Sequence, residues 1–391
     1  MNDIYQQKLT THRRELHKIP ELRRQLPKTK AYLLSVLETL DCEITFPCES
    51  GVCAYFDRGQ EDTYAFRADM DGLPIQEVNE CDYKSTHDGQ MHACGHDAHM
   101  SMVLTFGEYI NEIKNLKHNV LLIFQPAEES DGGAEVICQS GVLDKYNVTR
   151  VYGIHLWPFM EAGKISSRPG AFMPKSCEFH AYIDGKSVHG TAPYEGLDAL
   201  YIATDYVKRV YMKHAEIPGA IPRFAEGIGD IPRAETTEPE KRTLIHFGKF
   251  ESGHARNIVS NHSHMMGTVR AYCEEDFQMI INLLKGTLNE MKADYGCGVR
   301  FTNTDGYPPV YNDPDLYAKI RESFFELPGG YEEMAIPLVI SEDFSFFGIY
   351  RPAVFFVLGT GTGIALHSTN FDFDEKVLLS GLQLYISLIN G

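Results

Sequence analysis

Four stretches of the chain are continuously apolar instead of alternating: TYAFRADM (63–70), NVLLIFQ (119–125), VYGIHLW (151–157) and AVFFVLG (353–359). A strand with one wet face alternates with period two, so an unbroken apolar run marks a strand buried on both faces, as in a parallel sheet covered by helices. Helical periodicity lies between these runs. KAYLLSVLETL (30–40) is one such segment; in another, HMSMVLTFGEYINEI (99–113), Met102, Val103, Phe106, Ile110 and Ile113 share a face, and Asp97 is placed to act as N-cap. The alternation predicts an α/β domain whose mostly parallel sheet carries helices on both faces.

The middle of the chain follows a different order. A strand (177–185), a helix (197–213), two strands (243–251 and 263–272), a helix (274–293) and a strand (298–304) read as βαββαβ, the ferredoxin-like unit. This predicts a smaller α+β domain at 176–308, inserted into a discontinuous first domain formed by 1–175 and 309–391. Between Pro218 and Arg242, Pro, Gly, Glu and Arg displace any apolar period, which predicts a long surface loop.

A chain of 391 residues has room for two or three domains and needs no disulfide staples. Its 36 basic and 54 acidic residues leave a formal charge of −18, which repels phosphate backbones and anionic headgroups and argues against nucleic-acid or membrane partners. The opening segment MNDIYQQKLTTHRRELHKIPEL lacks the apolar core of a signal peptide, and no run approaches the ~20 apolar residues of a membrane span. Nine cysteines, an odd number without a CxxC pair, read as reduced thiols, so a cytoplasmic protein is expected.

Ligands of open parallel sheets bind beyond the carboxyl ends of the strands. Asp69 and Asp71 follow the first apolar run, Glu128 and Glu129 follow the second, His155 lies within the third, and a Gly-rich turn after the fourth leads to His367. Cys94, His96 and Asp97 stand just before a helix. Taken singly, a buried Cys is inert packing, paired carboxylates at a strand end are a solvated turn, and a His in an apolar strand is a satisfied core residue. Four separate segments bringing such groups to one sheet edge instead give a nitrogen, sulfur and oxygen donor set suited to Zn²⁺, with Mn²⁺, Co²⁺ or Ni²⁺ as alternatives.

These residues lie in an ordered series: RADMDGLPIQE (67–77), MHACGHDAHM (91–100), QPAEES (125–130), YGIHLWP (152–158), SVHGTAP (187–193), SEDFSFF (341–347) and LHSTNFDFDE (366–375). The series resembles the signatures of the metal-dependent N-acyl-amino-acid amidohydrolases, the metallopeptidase branch that includes hippurate hydrolases, indoleacetyl-amino-acid hydrolases and N-acetyldiaminopimelate deacetylases. The resemblance starts at RRELHKIPEL (13–22) and covers nearly the whole chain. It implies two divalent ions per subunit, held by Cys94, His96, Glu129, His155 and His367, with Glu128 as general base and Asp71 orienting a ligand histidine. The inserted domain would be a lid and dimerisation domain. In it His189 would stabilise the oxyanion in the partner subunit of a homodimer, and Asn257 would bind substrate, while Glu342 would be a substrate-side contact.

Four positions depart from the family pattern. Asp69 holds the place of a histidine in the early His-x-Asp pair, Val259-Ser260 stands where Ile-Pro is usual, the acidic residue shortly after PEL is absent, and the 218–242 loop is long. The expected reaction is hydrolysis of the amide bond of N-acetyl or aromatic-acyl L-amino acids to a carboxylic acid and a free amino acid. A dipeptidase or carboxypeptidase on the same site, a catalytically silent metal- or ligand-binding relative, and a Cys94 nucleophile paired with His96 or His155 are the alternatives.

Overall fold

Burial on both faces organises the larger of two sheets. In this computed structural model, which describes residues 2–130, 132–221, 238–324, 327 and 329–391, every residue of Thr63–Asp69, Asn119–Gln125 and Ala353–Gly359 is buried. Together with Val148–Trp157 these strands form the parallel centre of an eight-stranded sheet, ordered Asn119–Gln125, Thr63–Asp69, Val148–Trp157, Ala353–Gly359. Their carboxyl ends therefore lie along one edge. Short strands flank this centre: Glu43–Thr45 and Val52–Phe56 on one side, Ile165–Ser167 and Tyr331–Glu333 on the other.

Helices cover both faces, as the apolar runs require. Phe66, Ala68, Leu122, Phe124, Tyr152, Ile154, Val354 and Phe356 join one core with residues of the helices Asn2–His17, Pro27–Leu37, His96–Asn111 and Leu378–Asn390. The helices Gly133–Gln139 and Ser345–Tyr350 pack on each other and on the Asn119–Gln125 and Ala353–Gly359 strands. The fold is the expected α/β class, but two local readings change. The helix of the second periodic segment spans His96–Asn111, with each residue from His96 to Gly107 buried, so its apolar face is wider than the stripe of five residues; Ile113 lies beyond the helix end, half-buried against the same core. Asp97 is not its N-cap. That place belongs to Gly95, in the left-handed region at φ 86°, while Asp97 is drawn inward by Arg13 and His17.

The first compact unit comprises 1–170, 310–335 and 342–391, and the second comprises 171–309 with 336–341. The second unit has an antiparallel four-stranded sheet ordered Gly298–Asn303, Lys175–Asp184, His262–Ala271, Thr243–Ser252, which is the ferredoxin-like order of last, first, third, second. Cys177, Phe179, Ala181 and Ile183 alternate inward from the Lys175–Asp184 strand into a core shared with the helices Ala199–Ala215 and Glu274–Tyr295. Asp198 caps the first of these helices by accepting hydrogen bonds from the backbone N–H of Leu200 and Tyr201. Of the expected 218–242 loop, residues 222–237 lie outside the described residues. Among the described residues no helix is long and apolar enough to cross a membrane.

Candidate metal centre

All the groups gathered at the carboxyl edge of the large sheet belong to the first unit. The second apolar run ends at Gln125, and the chain then turns through Ala127, a non-glycine residue held at φ 61°. That strained turn lets the consecutive residues Glu128 and Glu129 enter one site. Asp71 secures it: one carboxylate oxygen accepts the Glu128 N–H at 2.9 Å and the other accepts the Glu129 N–H at 3.1 Å. The same carboxylate stands 3.7 Å from His96 Nδ1, within ion-pair reach though longer than a direct hydrogen bond, so it faces the turn and the histidine together.

Cys94 and His96 flank Gly95, where an added Cβ would lie 2.7 Å from Leu156 Cδ1. Leu156 belongs to the strand that carries His155, and close packing at Gly95 brings the two segments together. His155 donates from Nδ1 to the Leu156 carbonyl at 2.8 Å, which leaves the Nε2 lone pair facing Cys94 Sγ at 3.4 Å. His367 arrives from the turn after Ala353–Gly359. It too is left-handed, at φ 64°, and its N–H is tied to the Ala93 carbonyl at 2.8 Å. Its imidazole Nε2 lies 3.1 Å from Glu129 Oε1.

Three groups of donor atoms follow, each with all its members within 4.8 Å of one another: Cys94, His96 and His155; Cys94, Glu129 and His367; and His96, Glu128 and Glu129. Both ring nitrogens of His96 are buried without a hydrogen-bond partner, an arrangement that costs free energy unless a cation takes the place of the missing partner. Charge points the same way. Asp69, Asp71, Glu128, Glu342 and Asp343 are buried and Glu129 nearly so, and the Arg67 guanidinium contacts three of them. Burial, with Glu129 and Glu128 nearby, drives the Cys94 thiol well above its ordinary value, so a thiolate here needs a bound cation. Burial alone would discharge His96, but Asp69, Asp71 and Glu129 outweigh it and push the imidazole up to about 10. The donor set fits divalent metal.

The two adjacent glutamates differ in surroundings. Burial raises both, but His367 and His96 hold Glu129 below the usual carboxylate range. Glu128 is pushed well up by burial and by Glu342 and Glu129, and it forms a second acidic group with Glu342 and Asp343. Arg67 underlies this group. Its guanidinium donates to Gln125 at 2.8 Å, Asp69 at 2.7 Å, and Glu342 and Asp343 at 2.9 Å each. Glu342, expected on the substrate side, is 2% exposed and also accepts the Phe344 N–H at 3.0 Å, so its place is in the arginine cluster beneath Glu128.

Two more buried residues shape the edge. His99 shares a hydrogen bond with Asp69 through Nδ1 at 2.6 Å and accepts the Leu156 N–H at Nε2 over 3.0 Å, which fixes its neutral tautomer. Asp343 accepts twice from the Gln125 amide and once from the Ala134 N–H, and burial raises it to about 7. Sequence reasoning passed over Arg67, His99 and Asp343. A signal was present in each: an arginine inside an apolar run, a histidine one helical turn after His96, and an acid directly after Glu342.

In the second unit, His189 and Asn257 come onto one exposed patch although 187–193 and 255–261 are remote in sequence. His189 bridges to Ile258, and the Gly190 N–H donates to the Asn257 carbonyl at 2.8 Å. The His189 Nδ1 shares a hydrogen bond with Thr191 Oγ1 at 2.8 Å.

A model of peptidase family M20/M25/M40 matches residues 65–391. An uncharacterized hydrolase of Staphylococcus epidermidis is 34% identical over 394 residues, spanning 98% of this chain and 97% of the relative. Among solved structures, one from methicillin resistant Staphylococcus aureus superposes with a TM-score of 0.88 at 27% identity, over 100% of this chain and 98% of the other. A dinuclear metal-binding peptidase of the M20 family from Bacillus subtilis superposes with a TM-score of 0.83 at 26% identity, over 99% of this chain and 98% of that one.

Proposed function

The chain belongs to peptidase family M20/M25/M40 as a metal-dependent hydrolase, and we propose that it cleaves the amide bond of N-acyl L-amino acids, releasing a carboxylic acid and a free amino acid. The observation that carries this reading is the division between two consecutive carboxylates that both stand 3.9 Å from His96 Nε2: Glu129 meets His367 at 3.1 Å, whereas Glu128 groups with Glu342 and Asp343. Cys94, His96, Glu129, His155 and His367 would hold two divalent ions, with Zn²⁺ or Mn²⁺ first and Co²⁺ or Ni²⁺ also suited to the donors. Bound there, such ions supply Lewis acidity, both to acidify water and to polarise the acyl oxygen.

Glu128 is the general base. As the carboxylate, it accepts a proton from the attacking water as the water's oxygen bonds to the acyl carbon. It then returns that proton to the amide nitrogen, the C–N bond breaks, and the amine leaves neutral. Asp71 fixes the turn from which both glutamates project. His189 and Asn257 share one exposed patch, and we place them as the oxyanion donor and substrate contact of a homodimer in which each second unit serves the partner's site. All nine cysteines are free, in keeping with a reducing, cytoplasmic setting.

A peptidase reading shares the same chemistry and draws support from the likeness to the Bacillus subtilis peptidase. A panel of N-acetyl, N-benzoyl and indoleacetyl amino acids set against dipeptides and tripeptides, with each of the four metals, separates the two. Preference for N-acyl amino acids is expected. A kcat/KM higher for peptides than for every acyl amino acid would overturn the assignment.

A further inference from the structure

The N-terminal helix Asn2–His17 precedes the segment matched by the family model, yet its buried face is polar where it meets the site. Arg13, 1% exposed, donates from Nε to Asp97 Oδ2 at 2.9 Å, from Nη2 to Asp372 at 2.8 Å and from Nη1 to Glu375 at 3.3 Å. Its guanidinium also lies between the Tyr83 and Phe373 rings, 4.8 Å from each centroid. One helical turn on, His17 meets Asp97 Oδ2 through Nδ1 at 2.7 Å and Glu77 through Nε2 at 3.2 Å, so both ring nitrogens face carboxylates.

The carboxylates that Arg13 grips belong to two segments of consequence. Asp97 directly follows His96 at the start of its helix, and Asp372 and Glu375 belong to the stretch that begins with His367. The two segments touch where the His367 N–H meets the Ala93 carbonyl and where Phe371 packs against Gly95. A planar guanidinium with five donors can hold three carboxylates at once, whereas an ammonium on a flexible stem acts as a point charge and cannot span them with the same directionality.

We propose that Arg13 and His17 are positioning residues for the metal centre, clamping the His96 and His367 segments together so that retention of the ions depends on the N-terminal helix. The inference rests on the ligand assignment above. It does not require either residue to touch metal or substrate.

The test compares Arg13→Lys, Arg13→Met, His17→Phe and His17→Asn with Leu9→Ala, which weakens the same helix at a buried apolar position away from Asp97. Protein loaded with Zn²⁺ is mixed with a chelating dye and the release rate is read, alongside the unfolding midpoint and hydrogen exchange of 91–99 and 366–375 in stripped protein. Arg13→Lys, Arg13→Met and His17→Phe are expected to release metal about 10–100-fold faster, the usual effect of losing a partner behind the ligands. His17→Asn keeps a donor near the position of Nδ1 and should restore slow release, and Leu9→Ala should release at the wild-type rate even where its midpoint is as low. Faster exchange of both ligand segments should accompany the loss. Release at the wild-type rate from folded Arg13 and His17 variants would overturn the clamp, as would equally fast release from Leu9→Ala. If an Arg13 variant does not fold, the contrast between His17→Phe and His17→Asn decides. Wild-type protein that binds no metal, or His96→Ala that keeps both ions, would instead refute the ligand assignment beneath it.

Discussion

Asp71→Asn isolates the device that holds the paired glutamates. The carboxylate is 1% exposed and accepts one backbone N–H at each oxygen, from Glu128 at 2.9 Å and Glu129 at 3.1 Å. Asparagine keeps one acceptor and turns the other position into a donor aimed at a buried N–H. One charge-assisted bond is lost, the other is weakened to a neutral one, and an N–H is stranded, for a total of about 2–4 kcal/mol at ~1.5–3 kcal/mol per hydrogen bond to a charged group. The left-handed conformation of Ala127, which costs about 1–2 kcal/mol, then has less to hold it and the turn relaxes. Displacement of Glu128 by about 1 Å is enough to lower turnover ~10²-fold. The assay is denaturant unfolding of the stripped protein, followed by kcat at saturating metal. A variant within about 0.5 kcal/mol of wild type, the range of an inconsequential surface change, with unaltered kcat would refute the reasoning.

Three further outcomes are expected. Glu128→Gln should abolish turnover with metal content near normal, because it removes the proton acceptor and leaves the five ligands, while Glu129→Gln should lower metal occupancy; equal metal loss in both would erase the division of roles. His189→Ala should lower kcat ~10²–10³-fold, and mixing it with Glu128→Gln under subunit exchange should restore activity, since one site of each heterodimer then has both residues intact; heterodimers without recovery would place His189 outside the partner's site. In the second unit, burial holds His214 neutral with its pKa down to about 4, its ring beside Thr243 Oγ1 at 3.0 Å. Between pH ~6.5 and ~4 the unfolded chain binds a proton there that the folded one refuses, so stability falls as pH falls, by up to about 3 kcal/mol; protection of the Ala199–Ala215 amides, with the intrinsic exchange rate at each pH divided out, should fall over that window, and less so in His214→Gln, whereas wild-type protection that stays constant would contradict the burial argument.

The centre of the fold was legible because burial on both faces leaves no reason for alternation. Thr63–Asp69, Asn119–Gln125 and Ala353–Gly359 are apolar runs for the same reason that they are central strands. The short strands Glu43–Thr45, Ile165–Ser167 and Tyr331–Glu333 escaped notice, since three residues hold too little pattern to set a period. The helix Asn2–His17 escaped for a different reason: Tyr5, Leu9 and Leu16 point inward at helical spacing, but His12, Arg13 and His17 share the buried side and break the apolar stripe.

Residues that break a hydrophobic pattern are where physical reading of the sequence loses the fold and where it can gain the site. Arg67 inside a buried strand needs a charge partner and more acceptors than its neighbour Asp69 can offer, so its presence in the TYAFRAD run points to further partners from distant segments, and Gln125, Glu342 and Asp343 meet that need. The same reasoning applied to Arg13 and His17 requires a buried acid at the start of another helix, which Asp97 supplies. Read as an N-cap, Asp97 explains only its own helix. Read as the partner of a buried guanidinium, it links a helix that shows little apolar pattern to the segment bearing Cys94 and His96, a linkage that periodicity cannot express because it is carried by charge and directed hydrogen bonds.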